Sequence, residues 1–183
     1  MRRSTFRSAI RSRAGQPAHE QAVAAFLAAA RAVPADDWNR PLGPGKWSPG
    51  EIAEHLRLTY ALADAELTGG KGLRIRSSFW LRKMLRLLYL PGILRSGRFP
   101  GGVMAPREVR PGAGPFDQPA TLAGLEAHAN AVGENLAARH GSRGPVLTHH
   151  LFGGLDVVQA WRLLTVHTEH HRQQLVGESE AAS

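Results

Sequence analysis

The amino-acid sequence contains no cysteine. That absence excludes disulfide frameworks, iron–sulfur clusters, thiolate zinc sites and cysteine nucleophiles. Any metal must be held by imidazole, carboxylate or backbone oxygen. Long hydrophobic runs are missing too. No stretch approaches the roughly eighteen consecutive apolar residues needed to span a bilayer. The start, MRRSTFRSAIRSRAG, lacks the apolar run of a secretory signal, so the expected location is cytoplasmic. Strand-like alternation of useful length is also lacking, which points to an all-α protein.

Acid is absent from two segments. Residues 1–13 carry five arginines and no acid, and residues 71–107 carry nine basic residues and no acid. The remainder holds nine basic and fifteen acidic residues, so the +8 net charge is confined to those two segments. This speaks against a uniformly basic nucleic-acid-binding domain, and no nucleic-acid partner is expected. It leaves room for a local patch that meets phosphate, an anionic substrate or a membrane surface.

What is present is helical. The 183 residues suit one domain with its own core. Residues 1–16 are expected to be a flexible basic N-terminus, and 17–177 a single domain with an insert at 70–118. The first helix is expected over about 17–33, alanine-rich and stopping before Pro34. A second spans about 49–67. There Ser48 is a good N-cap, Pro49 suits the first helical position, and Glu51 completes a capping box. Ile52, His55, Leu56, Thr59 and Leu62 recur on one face of it. A third is expected over about 119–138 and a fourth over about 155–176, with Asp156 or a residue just before it as cap. The architecture predicted is therefore a four-helix bundle with a long connection between its second and third helices. That connection contains its own helical piece, about 77–90, ended by Pro91-Gly92. A Gly- and Pro-rich coil follows it.

Nine histidines make imidazole the natural ligand. His167 and His171 are four residues apart, which places both rings on one side of a helix. They continue the line of Leu164 and Val157 towards the core. His55 lies between Ile52 and Leu62 on another apolar stripe. A single core-facing histidine is usually just hydrogen-bonded. Three that converge are costly to bury without a shared partner, and one divalent ion removes that cost. Thr168 follows His167, so the glutamate base of an H-E-x-x-H protease is absent. His128 reads as a core residue or a further site residue. His149 and His150 precede a tight turn, Leu151 to Gly154, and one of them is expected near the open end of the bundle. His19 and His140 have no clear role. Trp38 and Trp47 are expected to anchor their loop by burial, and Trp161 to fill the core.

The stretches W-S-P-G-E-I-A-E-H-L (47–56) and H-T-E-H-H-R-Q-Q-L (167–175) together resemble the DinB-like, or YfiT-like, metal-binding superfamily. In that family the second helix supplies one histidine and the fourth supplies H-x-x-x-H-x-x-Q. The matching residues are His55, His167, His171 and Gln174. The stretch 150–161 resembles one branch, with Leu151 where that branch often has proline. The resemblance covers about residues 17–176. It implies a four-helix bundle, one zinc, nickel or similar divalent ion, and often a homodimer. Characterised members of the family include thiol transferases and isomerases acting with bacillithiol or mycothiol, and others are hydrolase-like.

An ion on three neutral histidines leaves a position free to activate water, polarise a carbonyl or hold a thiolate. Zinc, nickel and iron all accept this ligand set. The expected function is that of a metal-dependent thiol S-transferase or hydrolase, with a low-molecular-weight thiol as one candidate co-substrate. The alternative is a non-catalytic, metal-stabilised bundle that acts as a binding or structural protein. His150, Gln174 and Arg172 are the candidate catalytic residues. The expected partner is a small-molecule substrate. Arg82, Lys83 and Arg86 make an anionic one an option, by meeting it over the mouth of the bundle. The apolar set around them allows membrane-surface contact through 77–90. The favoured reading packs this segment on the bundle or on a second subunit, with its arginines in solvent.

Overall fold

The computed structural model describes residues 2–75, 78–98 and 104–177, with side chains from residue 15 onward. Ser77, which opens the expected insert helix, and residues 99–103 of the coil lie outside the described residues. Among the described residues, seven α-helices run in the order α1 (Arg2–Arg31), α2 (Ala35–Trp38), α3 (Pro49–Leu67), α4 (Phe79–Leu88), α5 (Leu90–Ser96), α6 (Gln118–Ala138) and α7 (Val157–Leu175). A 3-10 turn covers Arg107–Val109, and a two-stranded hairpin, β1 (Leu147–His149) and β2 (Gly153–Leu155), precedes α7.

Helices α1, α3, α6 and α7 form the bundle, and α4 with α5 is the long helical insertion between its second and third members. Helix α1 packs on α7 and α6, and α3 packs on α6. Helices α3 and α7 touch little, so one side of the bundle is splayed. The core is continuous, running through Phe26, Leu56, Tyr60, Leu125, Leu136 and Trp161. Trp161 fills it as its spacing suggests, at 1% exposure. Gly15 of α1 lies against that ring, where an added Cβ would come within 2.8 Å of the Trp161 Cβ.

Local capping explains the helix starts. Ser48 Oγ accepts the Glu51 N–H at 3.1 Å, and a Glu51 carboxylate oxygen accepts the Ser48 N–H at 2.7 Å. Pro49 occupies the first turn, where its missing N–H costs nothing. Asp156 and Gln159 form the same reciprocal box at α7. Asp117 caps α6 through the Ala120 N–H.

Three expectations need correction. Helix α1 begins at Arg2, and Pro17, read as the start, lies inside it. The insert helix α4 stops at Leu88, just before Pro91, but Pro91 does not lead into coil. It sits in the first turn of a new helix, α5, which Leu90 and Ile93 anchor in the core. The stretch before α7 is a hairpin, with Leu147 opposite Leu155 and His149 opposite Gly153. Strands of three residues are too short to show alternation. Gly153 makes the turn possible: its φ is +72°, and a Cβ there would also lie 2.9 Å from Arg82 Cδ.

Candidate metal centre

The splayed side of the bundle holds a cavity of about 1090 Å³. Its walls come from α3, α7, the insert and the hairpin. His55 projects into it from α3, and His167 and His171 from α7. Their ligand nitrogens all lie within 4.8 Å of one another. His167 Nε2 is 3.2 Å from His55 Nε2 and 3.0 Å from His171 Nε2. An ion bonded to imidazole at about 2.0–2.1 Å in a tetrahedron separates its ligand atoms by about 3.4 Å. The cluster is therefore close to ligand geometry before any ion is considered.

The far sides of the rings orient the near sides. His55 Nδ1 lies 2.7 Å from the Val109 carbonyl, which can only accept. The proton is therefore on Nδ1, and Nε2 presents its lone pair. His171 Nδ1 lies 2.8 Å from Gln174 Oε1 and is held the same way. Between these two lone pairs sits His167 Nε2. One proton there can satisfy one neighbour fully, not both. Burial lowers the pKa of all three, and that of His167 and His171 falls well below the ordinary value, with the neighbouring imidazoles adding to the effect. An imidazolium is thus disfavoured as the cation that relieves the repulsion. A divalent ion suits the three lone pairs, and the cluster is suited to binding one.

Trp47 does more than anchor its loop. Its ring lies 5.1 Å from that of His55 and is stacked at 6.5 Å on His171, so it walls the site. Trp38 is buried at 2% exposure, as expected.

The other candidates divide. Gln174 lines the cavity and supports His171. His150 also lines it, its pKa lowered by burial against the opposing pull of Glu108. Arg172 is held by Glu169 through two hydrogen bonds of 2.9 Å and is not among the cavity-lining residues. Of the cations proposed for the mouth, Arg86 instead donates to the Phe152 and Gly154 carbonyls and to Gln159. Among the described residues, the Lys and Arg side chains that line the cavity are Lys46 and Arg110. Nothing in their local sequence marks them, because a loop and a coil bring them there.

His149 is a further lining residue. Its Nδ1 accepts the Leu151 N–H at 3.2 Å, so its proton is on Nε2. Burial and His150 push its pKa down to about 3, and it is a neutral donor. His128 leaves the site altogether and pairs with Asp64 at 3.2 Å. His19, to which the sequence pattern assigns no role, is buried in the core. Its Nε2 is 2.9 Å from Tyr60 Oη, which is 2.8 Å from Thr168 Oγ1. This polar strut joins α1, α3 and α7 beside His167.

Gln174→Ala is expected to weaken metal binding by about 10–100-fold while leaving the fold intact, since it removes only the bond that orients His171. Competition against a chromophoric chelator measures it. An unchanged affinity would remove Gln174 from the site.

Compared with protein-family models, with curated proteins and with solved structures, the chain has no match. The class is therefore set by fold and site alone. It is a four-helix bundle with a buried three-histidine cluster able to hold one divalent ion.

Proposed function

We propose that the protein is a metal-dependent enzyme of the DinB-like kind, and that it transfers a low-molecular-weight thiol to an electrophilic small molecule. The observation that carries this reading is the position of the cluster. The three histidines stand on the wall of a large cavity, so a bound ion keeps a coordination position open to a ligand. A purely structural ion is closed off by its protein ligands.

When bound, the ion supplies a Lewis acid that lowers the pKa of a coordinated thiol or water. The chain's own residues do the rest. His55, His167 and His171 stay neutral, held so by burial, and offer no competing positive charge. His149 Nε2–H can donate to a carbonyl or developing oxyanion on the electrophile. Lys46 and Arg110 give an anionic group a place to sit. Apolar residues such as Leu151, Leu163 and Leu164 exclude water from the rest of the cavity.

Thiol transfer is favoured over carboxylate-assisted hydrolysis by the scarcity of carboxylates. Among the described lining residues the one carboxylate is Glu66, and Thr148 occupies it through both its N–H and its hydroxyl. A thiolate made at a metal needs no separate base during attack.

The test begins with the metal content of untagged protein, against a His55→Ala/His167→Ala/His171→Ala triple variant. Cobalt-loaded protein is then titrated with low-molecular-weight thiols. A thiolate-to-cobalt charge-transfer band supports the reading. Its absence, together with ester hydrolysis that the triple variant lacks, replaces transfer by hydrolysis. Absence of both, with metal bound, leaves a metal-stabilised binding protein.

A further inference from the structure

Helix α4 is amphipathic, and it is mounted in the opposite sense to the one its composition suggests. At 100° per residue, Arg82, Leu85, Arg86 and Tyr89 share one side. That side faces the protein. Arg86 bonds to the hairpin carbonyls and Gln159, Arg82 lies against Gly153, and Leu85 and Tyr89 line the cavity. The opposite side carries Trp80, Met84 and Leu87, flanked by Lys83 and Leu88. Trp80 is 75% exposed, Leu87 66% and Leu88 68%. No residue of α4 is buried. The cationic face is thus turned inward and the apolar face outward. Packing does hold the segment on the bundle, but its two inner arginines are not the solvent-facing side.

We propose that this face is a docking surface for an anionic lipid bilayer. No helix among the described residues is long and apolar enough to cross a membrane, so the contact is with the surface. Charge complementarity selects this occupant. Residues 71–107 carry nine basic residues and no acid, while the body of the chain is acidic. Lys71, Arg74, Lys83, Arg95 and Arg98 of this segment are exposed. A row of apolar side chains flanked by Lys83, in a segment whose exposed charges are all cationic, suits acyl chains beneath anionic headgroups. A second copy docking through the same face would set two acid-free, basic segments against each other, with the Lys83 side chains at close quarters.

The full chain is tested by flotation with vesicles of phosphatidylcholine alone, and of phosphatidylcholine mixed with phosphatidylglycerol. Binding is expected to the mixed vesicles and not to phosphatidylcholine alone, and added salt should weaken it. Trp80→Glu/Leu87→Glu should lower the bound fraction at least about tenfold, since it places charge where two apolar side chains insert. Helix content and metal content serve as checks that the variant folds. Lys83→Gln should weaken binding about fivefold. The tryptophan emission should shift to the blue on binding, and Trp80→Phe should lose that shift. The N-terminal arginines remain in every variant, so binding that survives Trp80→Glu/Leu87→Glu overturns the proposal. So does failure to bind either vesicle. If light scattering shows instead an oligomer that the double variant dissolves, the face belongs to a second copy.

Discussion

His167→Ala is expected to abolish metal binding. His167 Nε2 stands between the other two ligand atoms, at 3.2 Å from His55 and 3.0 Å from His171, so its loss opens the triad at the centre. Two imidazoles and solvent remain. The affinity loss should exceed the roughly 10–100-fold that removal of a supporting hydrogen bond causes. The same change should uncouple metal from stability. Ion at about 1000 times its dissociation constant stabilises the native state by about 4 kcal/mol. For a chain of this size that raises Tm by about 8–16 °C. The variant should show no such rise. Without metal, His167→Ala should cost little, because its ring borders an existing cavity and its removal relieves the crowding of lone pairs. Calorimetry with and without added zinc or nickel measures all of this. A variant that still binds one ion with wild-type affinity would falsify the triad.

Acid should destabilise the metal-free protein, and His19 should account for a large share of the loss. Burial lowers its pKa from 6.5 to about 4, with Glu20 opposing weakly. The unfolded chain takes up a proton near pH 6.5 that the folded chain refuses until about pH 4. Stability from this group is therefore complete above about 6.5, falls as the pH drops through that window, and changes no further below about 4. The whole window is worth about 3 kcal/mol. His149, lowered to about 3, extends the loss to more acid pH, and the three cluster histidines act in the same direction. Urea unfolding at about pH 7.5 and about pH 4.5 gives the drop. His19→Leu should shrink it by up to about 3 kcal/mol, because Tyr60 keeps its Thr168 partner and the proton-refusing ring is gone. An equal drop in wild type and variant would mean that His19 takes up its proton alike in the folded and the unfolded chain.

The parts of this molecule that were legible before any fold share one property: their physics is local. The Ser48–Pro49–Glu51 cap needs only neighbouring backbone N–H groups. The His167–His171 pair needs only the helical pitch. His55 could be joined to them because a polar ring on an apolar stripe requires a partner in the core. The carbonyl that orients His55 is different. It belongs to Val109, which reaches the ring from the far end of the long connection, and a backbone acceptor leaves no mark in the amino-acid order. Trp47 read as a loop anchor alone, and only the approach of α3 to α7 makes it a wall of the site as well.

The sequence by itself therefore determined the helices that make the bundle, the insertion between its second and third members, and the three histidines that cluster. Tertiary structure alone decided what surrounds them. An amphipathic helix has two faces, and periodicity does not say which is inward. For α4 the choice fell to the carbonyls of Phe152 and Gly154, which needed donors that Arg86 could supply and leucine could not. Hydrogen-bond demand at the hairpin turned Arg86 in. The apolar row of Trp80, Met84 and Leu87 was thereby left facing out.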